Sequence, residues 1–301
     1  METFIISMDT PTGRRRRRRL EAQCRREGLT WNVVQGIDGK QLDSTTVATT
    51  TTPWCHALCS PSMLGCALSH RACWQLVVDR DLPEALILED DAVLRPHFLQ
   101  HVRRGLQDVP PDYHVLLAGC FMCSSLFEVR TTGHVRRVSH FAGLHAYVVS
   151  NAGARFLLEH IPQVAYHIDV QTALTSGLRV YALAEDSALQ DGEESSQNAS
   201  LGFPKSLTTI LQSIPVSNNV SLAYFANVTM FRLGPYSHHL LVTPLLLVFL
   251  ALGLYGVPWY VIVPYAALDT LLFPPVSWND PLTKLAVYAL GLIYRLIHLS
   301  L

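Results

Sequence analysis

Three consecutive carboxylates, Glu89, Asp90 and Asp91, directly follow a short apolar run from Ala85 to Leu88. An unbroken apolar run of this length is typical of a strand that is covered on both faces of an α/β sheet. Ligands of such sheets bind outside the carboxyl ends of the strands. The sequence therefore predicts that these acids lie at a functional site.

The directions in which the side chains point indicate what these acids can bind. Successive side chains of an extended backbone alternate, so Glu89 and Asp91 should point to one side and Asp90 to the other. Two adjacent carboxylates repel each other unless a cation bridges them, and their oxygens favour Mg²⁺ or Mn²⁺. A divalent ion held by Glu89 and Asp91 could bind a nucleotide diphosphate and neutralise the charge of a leaving group. The alternative is a solvated acidic turn that happens to follow a strand.

The segments around the acids alternate between strand and helix patterns. The predicted strands are 1–9, 31–34, 85–88, 113–117, 144–149 and 179–183, and the predicted helices are 14–28, 62–79 and 96–107. Gly28 is a suitable C-cap, and Ser60 with Pro61 forms an N-cap and first-turn signal. The polar stretch Thr45 to Thr52 predicts an irregular loop. This order of elements predicts an α/β fold.

Cysteine and arginine residues each suggest an alternative function. Seven cysteines, an odd number without a secretory signal before them, do not predict a disulfide framework and favour a reducing compartment. Cys66, His70 and Cys73 share one face of the predicted helix, but the spacing fits no common closed zinc module, so buried structural cysteines are the better interpretation. The six arginines from Arg14 to Arg19 could bind nucleic acid, but a solvated helix face beside a nucleotide pocket explains most of them, and the formal net charge of −1 gives no further support for such a partner.

Five short segments, in this order, resemble glycosyltransferase family 25, which contains bacterial lipooligosaccharide galactosyltransferases and collagen galactosyltransferases. They are Ile6-Ser7-Met8-Asp9 with Arg14-Arg15, Gly36-Ile37-Asp38-Gly39-Lys40, Gly65-Cys66-Ala67-Leu68-Ser69-His70 with Trp74, Ala85 to Ala92, and Phe141 to Ser150 with Gly153-Ala154. The resemblance covers about two-thirds of the chain. It implies a GT-A type, Rossmann-like α/β domain, a nucleotide-sugar donor, and an acid cluster that binds Mn²⁺ and the donor diphosphate. The chain departs from the family at Ser7, where asparagine is usual.

The resemblance also implies roles for particular residues. Donor-binding residues are expected at Arg14, Asp38, Ser69, His70, Glu89, Asp90 and Gly143. Glu89 and Asp91 are the expected ligands of Mn²⁺ or Mg²⁺. Asp169 matches an acid that the family carries after a Tyr-Val-Val-Ser-like strand, so Asp169 and Asp91 are the expected catalytic residues. Asp169 could instead simply cap the helix that follows it. Should it prove dispensable, His145, His167, Glu185 and Asp186 are the next candidates.

The carboxyl-terminal region is unusually apolar and does not follow the family pattern. Residues 240–268 contain no Asp, Glu, Lys or Arg, and about 20 helical residues suffice to cross a bilayer. The sequence therefore predicts a catalytic domain at 1–215, a linker at 216–238 and an apolar, helical, membrane-attached segment at 239–301. An apolar dimerisation element is the alternative. Asp269 would be costly inside a bilayer.

Three sequons bear on topology. Asn198, Asn219 and Asn227 each begin an Asn-x-Ser/Thr motif, which favours a domain in the lumen of the endoplasmic reticulum or Golgi. No signal sequence precedes the domain, and the arginine-rich start favours the cytosolic side. The sequence thus predicts a membrane-associated protein whose catalytic domain faces the cytosol, with the lumen as the alternative.

Two function classes follow from these patterns. The first is a metal-dependent glycosyltransferase that moves a hexose, galactose or glucose, from a UDP-sugar to a hydroxyl of a glycan, glycolipid or protein. The second is a GT-A domain that has lost turnover and serves as a membrane-attached module binding a glycan or a partner. Retention of Glu89, Asp90 and Asp91 favours the enzyme.

Overall fold

The computed structural model describes residues 1–124, 133–191, 203–217, 220–236, 239–275 and 278–299. The chain divides into two compact units, Met1–Ser195 and Ser196–Leu301. The functional division at residues 215 and 238 stays a prediction, but residue 215 lies inside the second compact unit.

The first unit is an α/β structure. Its strands are β1 (Glu2–Ser7), β2 (Asn32–Gln35), β3 (Glu84–Glu89), β4 (Ala92–Leu94), β5 (Val115–Ser124), β6 (Val135–Val138), β7 (His140–Ser150), β8 (Val180–Leu183) and β9 (Ala188–Gln190). Its helices are α1 (Pro11–Arg26), α2 (Ser44–Thr50), α3 (Pro53–Leu58), α4 (Pro61–Asp79), α5 (Phe98–Asp108), α6 (Asn151–His160) and α7 (Ile168–Ala173), with a short 3₁₀ helix at Gly39–Gln41.

Seven of these strands form one mixed sheet in the order β2-β1-β3-β7-β5-β8-β6. β1 is parallel to β2 and to β3, so the carboxyl ends of these three strands meet at one edge. β7 runs antiparallel to β3, with Leu88 opposite Ala146. The mixed α/β sheet is consistent with a Rossmann-like fold, so this part of the sequence prediction is confirmed. The predicted membrane tail is wrong, as shown below.

The core lies on both faces of the sheet. Leu86 and Leu88 belong to a buried cluster to which α1 contributes Leu20 and α5 contributes Phe98. Ile87 lies between them and is also fully buried, so by the alternation of side chains it faces the opposite layer. β3 is therefore covered on both faces, and the acids that follow it begin where this cover ends.

Two disulfide bonds overturn the expectation that the cysteines are reduced. Cys55 is bonded to Cys59, and Cys120 to Cys123. The three free cysteines are Cys24, Cys66 and Cys73. The prediction was wrong because both bonds join cysteines three or four residues apart. Such local pairs do not depend on the even, framework-like cysteine pattern that was sought in the sequence.

The second unit is mainly helical. Its helices are α8 (Lys205–Gln212), α9 (Leu222–Asn227), α10 (Pro244–Leu254), α11 (Trp259–Leu272) and α12 (Asn279–Leu299), and its short strands are β10 (Pro215–Ser217), β11 (Val220–Ser221), β12 (Phe231–Leu233) and β13 (Leu240–Val242). Phe203 packs in one cluster with residues of the carboxyl-terminal helices, among them Phe249 and Tyr288. Of the three sequons, Asn227 is buried and donates to the carbonyl of Ala223, whereas Asn198 and Asn219 lie outside the described residues.

The predicted membrane-attached segment consists of several separate helices. Within the described ranges, no helix combines the length and the apolar composition that a bilayer crossing needs. The apolar run is divided between α10, with 11 residues, and α11, with 14, and each is shorter than the ~20 residues that cross the hydrocarbon core. The longer α12 carries Asp280, Lys284 and Arg295. The prolines of the apolar run left either a helix-break-helix hairpin or one spanning helix open, and the structure has a turn before Pro258 that separates α10 from α11.

Asp269, the acid that a bilayer would not tolerate, has a structural role in the second unit. It is 3% exposed, and its carboxylate accepts hydrogen bonds from the backbone N–H of Lys205 at 2.7 Å and of Ser206 at 2.8 Å. α8 has no side-chain cap from its own N-cap residue, Pro204. Asp269 therefore caps α8 from another helix and satisfies two of its free N–H groups.

We expect Asp269→Ala to destabilise the second unit by about 2–3 kcal/mol, because two buried N–H groups would lose a charged acceptor. Native-state hydrogen exchange should show loss of protection at the amides of Lys205 and Ser206. Thr270→Ala on the same helix removes only hydroxyl contacts to the carbonyls of the preceding turn and should change stability by less than about 0.5 kcal/mol. Equal protection in both variants would contradict the capping role.

Candidate active site

The acid cluster lies at the end of β3. Glu89 is the last residue of β3, Asp90 and Asp91 form a turn, and β4 begins at Ala92. β4 pairs antiparallel with β9, which places Ala92 opposite Gln190. The acids are thus held between the large sheet and a second, two-stranded sheet.

Glu89 and Asp91 share one partner. The side-chain amide of Gln190 donates to Asp91 Oδ2 at 3.0 Å and lies 3.5 Å from Glu89 Oε2. Asp90 points elsewhere, with its carboxylate 3.5 Å from the guanidinium of Arg16 and in contact with the hydroxyl of Ser7. The alternation that the sequence predicts is therefore seen, although it arises in a turn rather than in a continuous strand.

The second oxygen of Glu89 is held by a buried chain of hydrogen bonds. Glu89 Oε1 lies 2.9 Å from His70 Nε2, and His70 Nδ1 lies 3.0 Å from the hydroxyl of Tyr147. That hydroxyl accepts the indole N–H of Trp74 at 2.9 Å. If the Tyr147 hydroxyl donates to Nδ1, the proton of the neutral imidazole is on Nε2, and His70 donates to Glu89. This series of buried hydrogen bonds fixes the orientation of the Glu89 carboxylate.

Burial and the proximity of the two acids move their pKa values apart. Burial raises the pKa of Asp91 to about 8, and the charge of Glu89 adds to this effect. Burial also favours the neutral form of Glu89, but the hydrogen bond from His70 and the charges of His70 and His145 outweigh it, so the pKa of Glu89 lies below its ordinary value. Burial and the charge of Glu89 thus raise the pKa of Asp91, while the pKa of Glu89 is lowered.

The residues present fit a hard divalent cation. Asp91 Oδ1 is buried and accepts no hydrogen bond from the described residues. An orphaned carboxylate oxygen beside a second carboxylate is the donor set that Mn²⁺ and Mg²⁺ prefer. Both acids are oriented by hydrogen bonds with other side chains, as metal-ligating carboxylates usually are. Glu89 and Asp91 would hold the ion.

The two arginines at the start of α1 are placed differently. Arg14, the predicted donor-binding residue, is 43% exposed in its side chain and pairs with Asp9 at 2.7 Å. Arg16 is buried, and its charge acts on both Asp90 and Asp91. Arg16 is the cation that lies against the acid cluster, and it was not singled out from the sequence.

The segment Gly36–Gln41 is fastened to α4. Ser69 accepts the N–H of Ile37 at 2.8 Å and donates to the carbonyl of Gly65 at 2.7 Å. A Cβ on Gly39 would lie 1.7 Å from the carbonyl oxygen of Pro61, so only glycine allows this approach. Ser69 is 2% exposed and positions the segment. Asp38 accepts the N–H of Lys40 at 3.0 Å and starts the 3₁₀ helix.

Asp169 and Gly143 are brought together. The backbone N–H of Gly143, whose φ of +88° favours glycine, donates to Asp169 Oδ2 at 2.8 Å. Asp169 Oδ1 accepts the N–H of Val170 at 2.8 Å. Asp169 lies in the first turn of α7, but the N-cap residue is His167. Its carboxylate ties α7 to β7, which differs from the simple N-cap considered from the sequence.

Asp169 lies within electrostatic reach of the acid cluster. Burial raises the pKa of the Cys66 thiol well above its usual value, and the charges of Glu89, Asp169 and Asp91 each raise it further. All three carboxylates therefore act electrostatically on one side chain on α4. The sequence predicts these acids separately, and the fold brings each of them within electrostatic reach of this thiol.

The sequence analysis did not assign Gln190, Tyr147 or Arg16 to the site. Gln190 is 99 residues from Asp91 and reaches it only because β9 pairs with β4. Tyr147 lies in the middle of β7, where the surrounding apolar residues predict a core position. No local pattern marks either residue. Arg16 was missed because it stands in a run of arginines that was interpreted as a solvated helix face.

Comparison with known proteins identifies the family of this chain. Residues 1–172, more than half of the chain, match the family described as Glycosyltransferase family 25 (LPS biosynthesis protein). The chain combines an α/β sheet with an acid cluster at a strand end, and it belongs to glycosyltransferase family 25. The resemblance stated from the five sequence segments is confirmed.

Individual relatives are distant and differ in their described activity. Inactive glycosyltransferase 25 family member 3 of Mus musculus is 28% identical over 176 residues, which are 54% of this chain and 29% of the relative. Procollagen galactosyltransferase 2 of Mus musculus is 24% identical over 119 residues, 36% of this chain and 18% of the relative. Glycosyltransferase 25 family member of Drosophila melanogaster is 30% identical over 99 residues, 30% of this chain and 16% of the relative. The chain thus covers less than a third of each of these relatives.

Proposed function

We propose that this chain is a metal-dependent glycosyltransferase that moves a hexose, galactose or glucose, from a UDP-sugar to a hydroxyl of a glycan, glycolipid or protein. The observation that carries the proposal is the pair Glu89 and Asp91, which share Gln190, while Asp91 Oδ1 is buried and has no hydrogen-bond partner among the described residues. A binding surface would not need an orphaned carboxylate oxygen, which is costly without a ligand. Family membership and a relative named as a galactosyltransferase support the same conclusion.

Each part of the site has a role in this proposal. Mn²⁺ or Mg²⁺ would supply positive charge to the leaving diphosphate. Gln190 and His70 orient the two acids. Asp169, fixed by the N–H of Gly143, accepts the proton of the acceptor hydroxyl as general base. Arg14, Asp38 and Gly143 are proposed to contact the donor, while Ser69 acts through the segment that it fastens.

The direct test is hydrolysis of UDP-sugars by the purified chain without an acceptor, with and without Mn²⁺. We expect slow, metal-dependent release of UDP from one hexose donor. A matched control is Glu159→Gln, which removes an exposed acid on α6 and should keep the wild-type rate. Silence with every common donor, in a folded protein that still binds Mn²⁺, would contradict the enzymatic proposal.

A binding module without turnover is the second candidate. It is favoured by the relatives named inactive and by Ser7, which contacts Asp90 at the position where the family usually has asparagine. Such a module would bind UDP or a glycan without hydrolysing the donor. Calorimetric titration with UDP beside the hydrolysis assay separates the two candidates.

We expect metal binding to be linked to proton release. Asp91 has a pKa of about 8 in the metal-free protein, so Mn²⁺ must displace its proton at lower pH. The apparent affinity should rise about tenfold per pH unit as the pH approaches 8. Calorimetry in buffers of different ionisation enthalpy measures the released proton. An affinity that is independent of pH between about 6 and 8 would contradict the assignment of Asp91 as ligand.

A further inference from the structure

We propose that Cys66, His70 and Glu89 form a second metal site, selective for a zinc-type cation, whose occupation blocks the Mn²⁺ centre because both sites need Glu89. The sequence alone did not favour zinc here, because the spacing of Cys66, His70 and Cys73 fits no common closed zinc module. The fold supplies a third ligand from β3. The binding itself is independent of the proposed function, and only its inhibitory consequence rests on that function.

The geometry is close to that of a three-ligand zinc site. The ligand atoms of Cys66, His70 and Glu89 all lie within 4.8 Å of one another. His70 Nε2 is 2.9 Å and Cys66 Sγ is 3.8 Å from Glu89 Oε1. A tetrahedral zinc with bonds of about 2.0–2.3 Å separates its ligand atoms by roughly 3.3–3.7 Å. Small side-chain rotations are therefore enough to admit the ion.

The surroundings of His70 suit a metal ligand. Coordination through Nε2 requires that the ring proton be on Nδ1, where the hydroxyl oxygen of Tyr147 lies 3.0 Å away and can accept it. Zinc-binding histidines usually donate their other ring N–H to such an outer partner. Tyr147 is itself held by the indole N–H of Trp74, so the ring would keep its present orientation.

The sulfur ligand gives the site its selectivity. Cys66 is a free thiol, whereas Cys55 and Cys59 on the preceding helix are bonded to each other. When the metal binds, the thiol loses its proton to solvent and the sulfur becomes a thiolate ligand. Thiolate and imidazole ligands favour Zn²⁺, while Mn²⁺ and Mg²⁺ favour oxygen. The two metals would therefore prefer different sites that share one carboxylate.

The test uses the full chain with Co²⁺ as a spectroscopic substitute for zinc. Wild-type protein should show a thiolate-to-cobalt charge-transfer absorption that Zn²⁺ removes by displacement. Cys66→Ser, with Cys66→Ala as a second variant, should lose this absorption and bind Zn²⁺ at least about 100-fold more weakly in competition with a chelating dye. Cys24→Ala removes a free thiol on α1 and should behave as wild type.

The outcomes separate this proposal from the proposed function. Zn²⁺ should inhibit Mn²⁺-dependent UDP-sugar hydrolysis competitively with Mn²⁺ in wild type, and much less in Cys66→Ser. If the chain has no hydrolase activity, the proposed function fails, but the cobalt absorption still decides whether the site exists. The proposal is overturned if wild type gives no such absorption, or if folded Cys66→Ser retains both the absorption and the Zn²⁺ affinity.

Discussion

Asp91→Asn should weaken Mn²⁺ binding by about 100-fold or more and abolish metal-dependent donor binding while the protein stays folded. Changes to groups that only support a metal ligand already cost about 10–100-fold in affinity, and Asp91 Oδ1 is the oxygen of the proposed site that has no partner in the described part of the chain. Thermal denaturation with and without Mn²⁺ and UDP gives the measurement. Metal that binds only the folded wild type should raise its melting temperature, and the variant should show no such rise.

The metal-free variant should also be more stable than wild type near pH 8. Burial and the charge of Glu89 raise the pKa of Asp91 from 3.8 to about 8 in the folded protein. The folded state therefore keeps a proton that the unfolded state releases, and the stability of wild type falls as the pH rises from about 4 to about 8. Asn carries no such proton, so the variant should lose this part of the pH dependence.

Near-normal UDP affinity in Mn²⁺ for a folded Asp91→Asn protein would remove Asp91 from the metal site.

The parts of the fold that the sequence predicted correctly are those with local physical signals. Glu89 follows an apolar run that only a doubly covered strand explains, and β3 ends at that residue. Ser60 and Pro61 form an N-cap and first turn, and α4 begins there, with Ser60 accepting the N–H of Met63. The family could be stated because its segments keep their order along the chain. The strand and helix signals are each contained within about ten residues.

The parts that were missed depend on distant contacts. α2 was predicted as a loop because the stretch from Thr45 to Thr52 is polar, but Asp43 caps the helix by accepting the N–H of Thr46, and Val47 is buried. Gln190 enters the site only through the pairing of two three-residue strands. The membrane-attached tail was predicted from its apolar composition. The contact that this composition does not reveal is the capping of α8 by the buried Asp269. The local sequence around each of these residues holds no record of such pairings.

Asp169→Asn should lower turnover by about 10²-fold or more while the affinity for the UDP-sugar and the melting temperature stay close to wild type. Loss of general-base assistance commonly costs this much. The structural role of Asp169 survives in the variant, because an amide oxygen can accept the N–H of Gly143 as the carboxylate does. Single-turnover kinetics with saturating donor measure the chemical step directly.

The choice of asparagine is what separates chemistry from structure at this position. Asp169→Ala would leave the N–H groups of Gly143 and Val170 without their acceptor, so a slow Ala variant could reflect a displaced α7 rather than a lost base. In Asp169→Asn the charge and the basicity disappear, but at least one of these hydrogen bonds remains. Wild-type turnover in Asp169→Asn would show that the carboxylate only ties α7 to β7, and the search for the base would move to His145, His167, Glu185 and Asp186.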